Sequence, residues 1–362
     1  MAGMNVFGKK QIIYFYLSTL ALVCLTSNGL LAQDVHLSQY YAAPAYLNPA
    51  MIGARSAPNV HLNYRSQRLT YDVPLDVGQL SFVMPLVAKG GRRAMQIGSA
   101  GLSVFNMTSG PQGSYKVQGL HLTAAYNVMI DRQGTQMLSF GLQGGMIQKT
   151  INLSSFRWGT QYDPFIGYNE LITPSYSLIT EQTYFPEFNA GMMWHYGLTT
   201  RKGGRKSKTR MFAGFSANNL NRPDQSLVNE QPRPASMLFR LHGGGEFSIS
   251  RQLRLMPNML VKMREGVYSI NVGSYLSYDI GNNYRQRNAD ISLMVGSWYR
   301  LQDSFIFTMG ASGKRYALGI SYDMNVSNLQ YNFNGPGAME ISLSYNIGKS
   351  KGTPRRFSTP LI

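Results

Sequence analysis

The side chains best equipped for chemistry are thinly spread in this sequence. Five histidines stand at 36, 61, 121, 195 and 242. No spacing sets several of them on one element, so no metal site is expected. The stretch Gly310-Ala311-Ser312-Gly313-Lys314 is too short for a phosphate loop and reads as a tight hairpin turn. Neither HExxH nor GxSxG occurs. Asp163-Pro164 through Glu170 offers oxygen ligands without the spacing of a calcium loop, and reads as a turn. Arg240, His242, Glu246, Asp290, Arg300, Asp323 and Glu340 remain. Paired carboxylates among them would suit general acid–base work. A salt-bridged polar interior is the plainer use of such charges. No catalytic, cofactor-binding or metal-ligating residue is therefore assigned.

What positions these residues is a two-residue period. Leu120, Leu122, Ala124, Tyr126 and Val128 alternate with Gly119, His121, Thr123, Ala125 and Asn127. Met339, Ile341, Leu343, Tyr345 and Ile347 alternate with Glu340, Ser342, Ser344 and Asn346. One face is apolar and the other small or polar. Leu343 is expected to face lipid, and Ser344 a lumen that would tolerate a charge. Only 14% of the 362 residues are charged, against 37 Gly and 23 Tyr. Soluble domains carry about 25% charged residues, so the deficit suits a surface that does not face water.

Residues 1–32 read as a signal peptide: Lys9 and Lys10, an apolar run from Ile12 to Leu25, then Ala32. The single cysteine, Cys24, lies in this leader, where Val23 in front of it argues against lipidation. The remainder has no thiol for disulfides. Strands are expected near 58–66, 77–87, 96–107, 115–129, 135–150, 185–198, 208–218, 236–249, 252–263, 267–280, 289–300, 304–311, 314–324 and 337–348. The expected fold is all-β: a transmembrane outer-membrane barrel of about 14 antiparallel strands. It would occupy 58–348, followed by a basic periplasmic tail over 349–362. Segment 33–57 is broken by Pro44 and Pro49 and cannot pair as a long strand. It is expected to fold into the lumen or across the periplasmic mouth as a plug.

Lys and Arg number 34 against 17 Asp and Glu, a formal charge of +17. The excess concentrates in every second connection and in the tail, the periplasmic set if the long segments 151–184 and 219–235 face outward. Arg201, Lys202, Arg205, Lys206 and Lys208 crowd one such connection, read as a flexible turn around Gly203 and Gly204. Single-sign patches steer association, so these five are candidate docking residues for an acidic periplasmic partner. No nucleic-acid-binding motif accompanies the charge.

The opening after the leader reads Ser38-Gln39-Tyr40-Tyr41, then Leu47-Asn48-Pro49-Ala50 and Gly53. With Tyr64-Arg65-Ser66-Gln67, Phe188-Asn189-Ala190-Gly191 and Asn219-Leu220-Asn221-Arg222-Pro223, it resembles the PorP/SprF family of Bacteroidota. The family motif falls on Ser38, Gln39, Tyr40, Leu47, Asn48, Pro49, Ala50 and Gly53. The resemblance implies a non-enzymatic outer-membrane component of type IX secretion and gliding, without a cofactor. It implies three partners: periplasmic type IX components, a large secreted surface protein such as an adhesin, and outer-membrane lipid. A fatty-acid-channel-like barrel for small hydrophobic molecules is the alternative that the strand number and a plug also suit.

Overall fold

The computed structural model describes residues 37–54, 57–70, 73–90, 93–131, 133–169, 171–172, 181–202, 205–228, 231–250, 252–280, 291–326 and 337–348. The leader, the tail over 349–362 and Asp290 lie outside the described residues. The first strands are β1 (Asn59–Thr70), β2 (Val73–Gly90), β3 (Arg93–Ser109), β4 (Tyr115–Met129) and β5 (Gln136–Ile151). A two-stranded excursion follows, β6 (Tyr162–Asp163) and β7 (Gly167–Tyr168). Then come β8 (Gln182–Lys202), β9 (Arg205–Asn218), β10 (Leu238–Ser248), β11 (Leu253–Arg264) and β12 (Val267–Ile280). The last are β13 (Ile291–Arg300), β14 (Ser304–Gly313), β15 (Tyr316–Asn325) and β16 (Gly337–Asn346). All but β6 and β7 form one closed barrel of 14 antiparallel strands, in which β5 pairs with β8 and β1 with β16. Closure leaves no free sheet edge along the wall, as a membrane-spanning sheet requires.

The alternation holds. Leu120, Leu122 and Tyr126 point outward, as do Ile341, Leu343 and Tyr345. Their neighbours His121, Thr123, Asn127, Glu340, Ser342 and Ser344 are buried. Leu343→Arg is expected to destabilise the barrel by about 2–4 kcal/mol if it lies near the bilayer midplane. The unfolding midpoint on semi-native gels measures it, and an unchanged midpoint would invert the strand face. The expected tolerance at Ser344 is corrected. Its hydroxyl pairs with His61 Nδ1 at 2.7 Å inside a filled lumen, so there is no solvated space for an arginine.

Two further expectations are revised. Gly310 to Gly313 belong to β14, and the bend falls at Lys314–Arg315 instead. Several strands also exceed the expected length. The β2–β3 pairing continues to Gly90 opposite Arg93, whereas β1 leaves β2 at Val83 and β4 joins β3 only from Gly98. Likewise β8 and β9 pair out to Lys202 opposite Arg205. There, β5 has ended at Tyr196 of β8 and β10 at Thr209 of β9. Two ribbons thus stand free on the rim of short turns. The opposite rim carries the long connections between β5 and β8 and between β9 and β10.

Candidate functional site: a lumen filled by the amino-terminal segment

Residues 37–54 lie within the barrel as three short helical turns: Tyr40–Ala42, Pro44–Leu47 and Pro49–Ala54. Pro44 opens the second turn, where its missing N–H is no loss. Such turns leave backbone groups unpaired, and inward side chains of the wall supply the partners. Asn63 Nδ2 donates to the Ala42 carbonyl at 3.0 Å, and Gln143 Nε2 to Ala45 O at 3.2 Å. Arg240 Nη1 donates to Tyr46 O at 3.0 Å, and Ser216 Oγ to Leu47 O at 3.0 Å. Gln96 and Asn127 both donate to Gly53 O, at 2.9 and 2.8 Å.

Each family-motif residue named above is buried here. Asn48 does the most. Its Oδ1 accepts the N–H of Ala50 at 2.9 Å, which fixes the turn at Pro49. Its Nδ2 donates to the carbonyls of Met192 (3.1 Å) and Phe215 (3.2 Å) and meets His242 Nε2 at 3.1 Å. Wall glycines make room for it. A Cβ on Gly191 would overlap Asn48 Oδ1, and one on its cross-strand neighbour Gly141 would overlap the backbone of Pro49 and Ala50. At Gly53, a Cβ would run into Asn127. Tyr40, Tyr41, Leu47, Ala50 and Met51 pack against Met193, Phe212 and Leu260 of the wall.

Ser38 and Gln39 are held by charge. The Ser38 hydroxyl donates to Asp323 at 2.6–2.7 Å, and its N–H donates to Glu340 Oε2 at 2.6 Å. Arg65 Nη1 lies 2.6 Å from Ser38 Oγ, 2.9 Å from Asp323 Oδ2 and 3.6 Å from Glu340 Oε2. Arg300 reaches the same Ser38 hydroxyl and Asp323 at 3.2 and 3.3 Å, and also pairs with Asp303 at 2.8 Å. Gln39 N–H donates to Glu340 Oε1 at 3.1 Å, and Ser342 Oγ donates to Gln39 Oε1 at 2.6 Å. Buried carboxylates are thus matched to guanidinium groups and to the chain they hold, as burial of charge requires. A second ladder, Arg210–Glu246–Arg254–Asp279, lines the wall between β9 and β12.

The structure therefore gathers Arg240, His242, Arg300, Asp323 and Glu340 around residues 38–48, whereas Glu246 belongs to the second ladder. Arg65 stands in the Tyr64-Arg65-Ser66-Gln67 stretch that carries the resemblance, but not among the inward charges expected from the sequence. Its inward position in the β1 alternation was the available signal. A gap of about 20 Å³ beside Gln39, Ala42 and Gly319 is the size of one water.

The five candidate docking residues lie elsewhere, on the short-turn rim. Arg201 and Lys202 are strand residues of β8, and Arg205, Lys206 and Lys208 of β9. These strands form a paired ribbon with Arg201 opposite Lys206 and Lys202 opposite Arg205, while Gly203 and Gly204, where the flexible turn is expected, lie outside the described residues. The second ribbon carries Lys89 and Arg93. Between them, the β4–β5 turn is fixed by Asp131. Its carboxylate accepts from the Thr135 hydroxyl at 2.6 Å and the Gln136 N–H at 2.8 Å, bonds that hold its pKa below the ordinary range.

A closed antiparallel barrel with an apolar outer wall and a filled polar lumen defines an outer-membrane protein. The chain belongs to the PorP/SprF family of type IX secretion system membrane proteins, whose model matches residues 30–345. Among solved structures it is similar to the Pseudomonas putida toluene transporter TodX (10% identity, 87% of this chain and 94% of that one, TM-score 0.45). It is also similar to a Pseudomonas aeruginosa FadL homologue (11%, 85% and 94%, TM-score 0.41) and to the β domain of the Bordetella autotransporter BrkA (12%, 80% and 98%, TM-score 0.36). These likenesses are of barrel form alone. No curated protein matches the sequence.

Proposed function

We propose that this outer-membrane barrel serves type IX secretion as a closed docking component, without enzymatic activity. Its long-loop face would look outward and assist the export or anchoring of a large surface protein. Its short-turn rim would look into the periplasm and meet the secretion machinery. The observation that carries this reading is the filled lumen. A chain in transit would have to break the buried bonds from Ser38 to Gly53, and a small hydrophobic molecule would meet the same obstruction. The alternative of a channel for such molecules therefore loses its conduit.

The basic ribbons support the periplasmic half of the reading. Like charges directly opposite on a ladder destabilise it, and β8–β9 sets two such pairs in succession. An acidic partner would relieve them. Replacing Arg201, Lys202, Arg205, Lys206 and Lys208 by Gln is expected to leave insertion and heat-modifiability intact, since rim ion pairs contribute about 0–1 kcal/mol. Co-purification with periplasmic type IX components should fall, and wild-type association should weaken as salt rises, because charges are screened within about 8 Å at physiological ionic strength. Undiminished co-purification and client display in the neutralised variant would remove the rim from the account.

A further inference from the structure

The bilayer-facing side of the wall carries a feature that neither the lumen nor the basic rim uses. Tyr64, Gly78, Asn106, Gln118, Gln148 and Tyr184 form one outward row in register across β1, β2, β3, β4, β5 and β8. The next outward row toward the short turns is Leu62, Leu80, Val104, Leu120 and Met146, all exposed. Gly78 interrupts this surface, since a Cβ there would meet no atom within 4 Å. A groove of about 540 Å³ runs between the two rows, in the size range of sites for small molecules, about 300–1,000 Å³. It crosses five strand intervals, about 24 Å. Its floor is hydrocarbon, and one long edge is a line of amides.

Amides are costly on a wall that meets only hydrocarbon. On the other side of β1 the same row continues through Ile341, Ile320, Met309 and Val295, all apolar. Gln118 Nε2 donates to Asn106 Oδ1 at 3.2 Å, and Asn106 and Gln148 donate to Thr108 and Thr150 at 3.5 and 3.4 Å. A side-chain amide has two N–H donors, so among the described residues each keeps one for an acceptor outside the chain. Lys116 stands one outward position closer to the long-loop rim, between Thr108 and Thr150, with Asp76 two strands away in its row. Tyr64 and Tyr184, exposed at the two ends of the amide row, are the residue type that marks the head-group level of a bilayer. We propose that the groove binds one anionic lipid of the leaflet on the long-loop side. An acyl chain lies along the floor over Gly78, its ester or amide carbonyl accepts from Asn106, Gln118 or Gln148, and its phosphate meets Lys116. The groove is continuous with the lipid-facing wall, and a lipid offers chain, carbonyl and negative charge in the order in which floor, amides and lysine stand. The site is independent of the docking reading and of which way the barrel faces.

The test adds phosphatidylglycerol, or phosphatidylcholine with the same chains, to the delipidated full-length barrel and counts retained lipid by native mass spectrometry. Gly78→Phe fills the groove with a residue that suits a strand. Ser297→Phe places the same bulk on the outward face of β13, away from the groove. Each variant first has to show wild-type heat-modifiability. Wild type and Ser297→Phe should each retain one phosphatidylglycerol, and Gly78→Phe none. Lys116→Gln should retain phosphatidylglycerol no better than phosphatidylcholine. Equal retention by wild type and Gly78→Phe, or none by wild type, overturns the site. Equal retention of the two lipids by wild type overturns its anionic character. In cells, a photoreactive side chain at position 78 should cross-link to lipid. Cross-linking to a protein instead would make the groove a protein contact and overturn the proposal.

Discussion

Deleting residues 37–54 is expected to turn a barrel that passes no ions into one that conducts. The wall does not depend on the segment for closure, since every strand pairs with two wall neighbours. The deleted protein should therefore still insert and remain heat-modifiable. What it loses is the packing of Tyr41, Leu47, Ala50 and Met51 against Met193, Phe212 and Leu260, and of Ile52 against Val83 and Ala125. The opposite side stays filled by Met256, Tyr275, Met294, Trp298 and Ile306, which pack on one another. The new path should thus run along β4, β5, β8 and β9, past Gly141 and Gly191. Planar-bilayer recordings should show discrete openings in the deleted form and none in the full chain, and entry of bulky antibiotics should rise in cells. Gly191→Leu should act in the same direction by evicting Asn48 while leaving the segment's sequence untouched. A deleted barrel that remains closed would show that the long connections seal it, and the segment would then be a docking arm.

Replacing Arg65 by Met is expected to carry the largest stability cost of any single substitution considered. Arg65, Asp323 and Glu340 are almost wholly buried. Without the guanidinium, two carboxylates face each other with Arg300 alone, 3.3 Å from Asp323. Removing one partner of a buried pair costs about 3–5 kcal/mol, because the other charge stays desolvated. Ser38 also loses its 2.6 Å donor, so the Ser38 end of the segment should loosen. Arg210→Met is the internal comparison. Glu246 keeps Arg254 at 3.1 Å, and Arg210 is itself partly exposed, so a far smaller change is expected. Thermal midpoints of the folded band on semi-native gels would separate the two. Equal midpoints for both variants would mean that the Ser38 cluster is solvated.

Much of the wall was legible because a period of two needs no knowledge of partners. The order and faces of the fourteen strands follow from residues such as Leu120 and His121, whose alternation reports lipid on one side and lumen on the other. The inward charges were legible for the same reason. Their use was not. Arg65 and Asp323 meet across 258 positions of sequence, and Ser38 reaches Glu340 across 302. Spacing in the chain carries no trace of that contact. The Asn48-Pro49 turn was local chemistry and could be read. The reason for Gly141 and Gly191 required knowing what stands beside them. The ribbon lengths were missed where alternation fades, because Thr199-Thr200-Arg201-Lys202 offers no apolar face once the strand leaves the bilayer. The contact of Ser344 with His61 was missed because the two stand 283 positions apart in the sequence and meet only where β16 closes on β1.

The central claim is that the barrel serves secretion while closed. Cysteines at Ile52 and Val83, which pack together in the lumen, would lock the segment to β2 once oxidised, in a chain with no other cysteine after its leader. Disulfide geometry demands that the two Cβ atoms be neighbours, and gel mobility with and without reductant reports how much of the protein is locked. The decisive measurement is the amount of type IX client displayed on cells whose barrel is fully cross-linked. Display equal to wild type is the predicted result. Display lost on locking and restored by reductant would mean that the segment must leave the lumen for secretion, and that the barrel works as a gate rather than a closed dock.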